Sequence, residues 1–125
     1  MAIKEVFDII LERLPNTYPK ARLVIHSSIS ALTYEYQRGS HGDKQGPPPF
    51  GYCDNRDNSI HVVAQLSREQ HYDVAWYLLH ELGHLYAYKR YGERDRRWSN
   101  YKVAEQYANN FATRWVKKLK KEGLV

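Results

Sequence analysis

The sequence predicts a single α+β domain spanning residues 1–125, and three observations predict it. Apolar residues recur with a helical period at both ends of the chain. Short β-branched runs separated by turn residues lie between them. At 42% apolar and 26% charged residues, the composition suits one packed core with a wet surface and excludes a disordered chain.

The elements follow in order. Ile3, Val6, Phe7, Ile10, Leu11 and Leu14 mark an amphipathic helix over Ile3 to Leu14, stopped by Pro15. Arg22 to His26 is short and β-branched, a strand. Ser30 to Gln37 alternates Leu32, Tyr34 and Tyr36 with Thr33, Glu35 and Gln37, which predicts a second strand, with a helical turn across Ser27 to Leu32 as the alternative. Gly39 to Pro49, rich in Gly and Pro, is a loop. Phe50 to Asp54 and Ser59 to Val63 flank the polar turn Asn55 to Asn58, a β-hairpin.

Ser67 with Gln70 reads as a capping box that opens a helix over Tyr72 to Tyr91, and Gly92 reads as its stop. Ser99 or Asn100 caps a last helix running to about Lys121 before Gly123. Along it Val103, Tyr107, Phe111, Trp115 and Leu119 fall four residues apart, beside Ala104, Ala108 and Ala112 that let another helix approach closely. The expected order is α-β-β-β-β-α-α, with a sheet of three to four strands.

The chain carries +5 net charge, part of it in Arg94, Arg96 and Arg97 and part in Lys117, Lys118, Lys120 and Lys121. A solvated charged surface is one reading and an acidic or nucleic-acid partner the other. Cys53 is the only cysteine, so no intramolecular disulfide forms. No secretory leader and no run of about 20 apolar residues is present, so the expected compartment is the cytoplasm, without a membrane partner.

The chemistry concentrates in His80-Glu81-Leu82-Gly83-His84. Two histidines four apart share one helix face and can converge on a single zinc ion. Glu81 lies about 100° round the helix, where it reaches a water beside the metal rather than the metal itself, as a general base does. A shuffled chain of this composition holds the pattern about 2% of the time, so its place inside a helix matters as much as its letters.

A catalytic zinc takes three protein donors and leaves a position for water. The pattern with Gly and a third His at +3 and +6 is excluded, because Ala87 and Arg90 stand there. Glu105 is the best third donor, since an antiparallel helix pair joined by about eight residues returns it to the motif. Glu93 and Asp95 are rivals, though close to His84 in sequence. Asn109, one turn beyond Glu105, could hold the outer N–H of a ligating imidazole, and Tyr101, one turn before, could face a developing oxyanion. An edge strand at Phe50 to Asp54 could pair with an extended peptide; a buried interior strand is the alternative. His26, His41, His61 and His71 have no motif spacing, and Cys53 reads as a small buried hydrophobe.

His80-Glu81-Leu82-Gly83-His84 followed by Glu105-x-x-Ala108-Asn109-x-Phe111-Ala112 resembles the ImmA/IrrE family of minimal gluzincin metallopeptidases, over roughly Phe50 to Leu119. The resemblance implies a zincin-like fold, zinc held by His80, His84 and Glu105, and Glu81 as general base. It also implies cleavage of an intracellular regulatory protein, such as a phage- or mobile-element-type repressor. The chain departs from the family in having no helix-turn-helix segment. HExxH motifs also occur in DNA-associated proteases of the SprT type. A DNA-associated protease, or a non-catalytic nucleic-acid-binding module of zincin-like fold, is therefore the alternative.

Overall fold

The computed structural model describes residues 2–18, 20–38, 51–91 and 101–125, and side chains for all of these except 35–38 and 101. The element order is α1 (Ile3–Arg13), β1 (Arg22–His26), α2 (Ile29–Arg38), β2 (Gly51–Asp54), β3 (Ser59–Val63), a 3-10 helix (Ala64–Arg68), α3 (His71–Tyr91) and α4 (Tyr101–Lys121). The class is α+β, with a small mixed sheet. The predicted loop at Gly39 to Pro49, the stop at Gly92 and the caps at Ser99 or Asn100 fall outside the described residues.

The three strands lie in the order β1-β3-β2. β3 pairs parallel with β1, with Arg22 opposite Ser59 and His26 opposite Val63. It pairs antiparallel with β2, with Cys53 opposite Ile60. A central strand is covered on both faces, and four of the five β3 residues are buried. The hairpin turn is built by its own side chains. Asp54 accepts from the Arg56 backbone N–H at 2.9 Å, and Asn58 takes the left-handed conformation at φ 56°. Gly51 is needed for closeness, because a Cβ there would collide with the His61 carbonyl oxygen.

One sheet face carries Ile60 and Val62 into the main core with α1, α3 and α4. The other face meets α2 through a small cluster of Leu32, Tyr52 and Val63. α3 has buried residues all round, from Val74 to Ala87, because α1, the sheet and α4 enclose it. α4 is one-sided and buries Ala108, Phe111, Ala112, Val116 and Leu119. It ends in a Schellman motif: Gly123 has φ 74°, and the Leu124 N–H donates to the Leu119 carbonyl at 2.9 Å. Among the described residues no helix is long and apolar enough to cross a membrane.

Two expectations are corrected. Ser30 to Gln37 is not a strand but lies within α2, so the described sheet has three strands. Leu32 is fully buried while Tyr34 is 62% exposed. Residues two apart share a strand face but lie about 200° apart on a helix, so the alternation was fortuitous. Ser28 marks the helix start, its Oγ accepting from the Ala31 N–H at 3.1 Å. Ser67 does not cap α3 either. It sits inside the 3-10 helix, where buried Leu66 draws the chain into the core, and α3 opens at His71.

Candidate metal centre

α3 and α4 run antiparallel. Trp76 meets Thr113 near one end of the pair and Tyr91 meets Tyr107 toward the other. They approach closely at Gly83, where a Cβ would lie 3.1 Å from the Ala108 Cα. That closeness brings α4 back onto the His80–His84 face.

His80 Nε2 and His84 Nε2 are 3.2 Å apart. Glu105 Oε1 is 2.8 Å from His84 Nε2, and Oε2 is 3.4 Å from His80 Nε2. A tetrahedral ion with bonds of about 2.0–2.1 Å separates its donors by about 3.3 Å. The three groups therefore stand at ligand spacing, and His80, His84 and Glu105 could hold a metal ion. Burial holds both imidazoles below the usual histidine range despite the Glu105 carboxylate. Neutral imidazole is the form that binds metal.

Glu81 is not part of this triad. Its carboxyl is pushed up to about 8, first by burial and then by the Glu105 charge. A cation at the triad would act in the opposite direction and favour the carboxylate. Cys53, on β2, feels the Glu81 charge, and its thiol is raised well above its ordinary value, chiefly by burial. It is half-buried against the core, less enclosed than the small buried hydrophobe expected from the sequence.

No family model, curated protein or solved structure matches this chain. The site is therefore read from its own residues.

Asn109 lies close enough to the His80 ring to favour its protonated form. The buried Nδ1 of His80 nevertheless has no hydrogen-bond partner. Tyr101 opens α4 one turn before Glu105, and its side chain is outside the described set. The rivals Glu93 and Asp95 are outside the described residues.

Trp76 is a site residue that sequence reasoning missed. Its ring stacks on His80 with centroids 5.1 Å apart, and its Nε1 donates to Thr113 Oγ1 at 3.2 Å. It braces the imidazole from one side and ties it to α4. The signal was present in the spacing, because Trp76, His80 and His84 are successive members of one i, i+4 row.

A second polar array lies on the sheet face away from α3. Arg22 donates to Asp57 at 2.6 Å, Ser59 Oγ to Asp57 at 2.5 Å, and His61 joins Ser59 and His26 at 2.8 Å each. Burial first and His26 second hold His61 below its ordinary value. This array cross-links β1, β3 and the hairpin turn, and is separate from the triad.

The triad makes a direct prediction. Purified protein is expected to hold about one metal ion per chain, and His84→Ala and Glu105→Ala each to lose most of it, because two remaining donors bind weakly. Elemental analysis with circular dichroism checks this. Retention in Glu105→Ala alone would remove that residue from the donor set.

Proposed function

We propose that the chain is a zinc metallopeptidase that hydrolyses peptide bonds, resembling the ImmA/IrrE type. The observation that carries the proposal is the convergence of two imidazole nitrogens and a carboxylate with a separate half-buried carboxyl, Glu81, one residue along the helix. Two nitrogens and one oxygen, with no thiolate, match the donor set of catalytic rather than structural zinc sites. A zincin-like fold is part of the proposal, with α3 and α4 as the two donor helices.

Zinc bound at the triad would supply polarisation of a carbonyl oxygen and a water acidic enough to attack near neutral pH. The protein's own groups do the rest. Glu81 takes the proton from the attacking water and returns it to the leaving amine, which departs as the peptide C–N bond breaks. Trp76 braces the His80 ring from one side, and Asn109, close to the same ring, is the proposed partner of its outer nitrogen. Tyr101 is the proposed donor to the oxyanion.

The substrate track in this reading is β2. Among the described residues it pairs only with β3, so its other edge can accept an extended peptide. Its Cys53 lies within reach of the Glu81 charge, which supports a track beside the proposed base. The proposed substrate is a regulatory protein of the cytoplasm, a compartment consistent with one thiol and no disulfide.

The test is digestion of a mixed peptide library by zinc-loaded protein, read by mass spectrometry. New termini are expected with zinc, none after chelation, and recovery on adding zinc back. Fully zinc-loaded protein that cuts no member of the library would turn the choice toward the non-catalytic binding module.

A further inference from the structure

The basic balance of the chain is concentrated on one helix. Residues 101–125 contain six basic and two acidic residues, so four of the five net positive charges lie there. Both acidic groups are engaged elsewhere. Glu105 faces the two histidines, and Glu122 meets Arg13 on α1 at 3.2 Å. Arg114, Lys117, Lys118 and Lys121 are exposed and follow the i, i+3, i+4, i+7 rule, so they form one stripe. Among the described residues no carboxylate forms a salt bridge with any of the four.

We propose that this stripe of α4 binds the phosphate backbone of a nucleic-acid duplex, independently of sequence. The stripe is about 10 Å long, from seven residues at 1.5 Å each. One duplex strand presents a phosphate about every 3.4 Å along the axis, so the stripe spans about three phosphate steps. The nearby ring is not free for base stacking, because Lys118 Nζ sits 4.5 Å from the centre of half-buried Trp115. Charge without an open aromatic platform favours duplex backbone over unstacked single strands.

The stripe also leaves the metal centre accessible. It begins nine residues beyond Glu105, which on a helix is half a turn round the axis. A duplex on the stripe therefore lies across the outer side of α4, while the triad faces α3. The inference does not depend on the peptidase reading.

The experiment is fluorescence anisotropy with a labelled DNA duplex of about 20 base pairs and arbitrary sequence. With four phosphate contacts, affinity is expected to fall about a hundredfold between about 50 and 200 mM salt. The combined variant Arg114→Gln, Lys117→Gln, Lys118→Gln and Lys121→Gln should lose nearly all of that salt dependence, with its helix content and metal content unchanged. A control, Lys4→Gln with Lys20→Gln, should bind as the wild type does. Equal binding to duplex RNA supports backbone recognition. Equal loss in the control means that net charge alone attracts the DNA, and overturns the stripe. Absence of binding by the wild type overturns it too, as does tighter binding to polyglutamate, which would make the partner an acidic protein.

Discussion

Glu81→Gln is expected to keep about one zinc per chain and to lower the rate of peptide cleavage by about 10²–10⁴-fold. That is about 3–5 kcal/mol of lost barrier reduction. The amide has the shape of the acid, and Glu81 lies outside the donor triad, so metal binding has no reason to change. The amide cannot accept a proton from water. The environment explains why a carboxyl at this position suits the task. Burial and the Glu105 charge raise it to about 8, and a cation nearby works against both. Without a cation at the triad, the group is raised out of the acid range where an exposed glutamate titrates. Comparing kcat with zinc stoichiometry on the same preparation decides the matter. Unchanged kcat would place the base elsewhere. Lost zinc would make Glu81 a donor rather than a base.

The candidate site was more legible in the sequence than the sheet was. His80 and His84 needed only a helix around them, and the helical region was evident from its length and apolar content. Glu105 was reachable because helix pairing is local: two long helices with a short connection pack antiparallel, and small residues such as Gly83 and Ala108 mark a close approach. Trp76 was equally accessible from spacing but carries no ligating atom, so ligand patterns pass over it. α2 failed for a different reason. Among residues 29–34 of this helix, whose side chains are described, Leu32 alone is fully buried, so little distinguishes its pattern from an alternating run of tyrosines. The parallel pairing of β1 with β3 joins residues 37 apart, and no local pattern encodes such a partner.

Gly83→Val is expected to remove about 2 kcal/mol of stability and, separately, to weaken metal binding at a centre it never touches. The residue is buried where α3 packs closely on α4. An added Cβ would stand 3.1 Å from the Ala108 Cα and 3.3 Å from Phe111. Ala108 Cα is backbone and cannot swing aside, so α4 itself must retreat. Overpacking of this kind costs about 1–3 kcal/mol, partly offset by the better helix propensity of valine over glycine. The retreat matters more for the site than for the fold. Gly83 is next to His84, and Ala108 is one turn from Glu105, so the displaced segment carries the third donor away from the other two. Metal–donor distances at a bound site stay within about 0.2 Å of their standard values. Gly83→Ala is the graded case. Its methyl needs a shift of a few tenths of an ångström, and its helix propensity gain of about 1 kcal/mol leaves stability near that of the wild type. Its metal affinity should still fall. Thermal melting of the metal-free variants, paired with zinc titration, separates the two effects. If Gly83→Val melts with the wild type and binds zinc equally well, the close helix approach does not position Glu105.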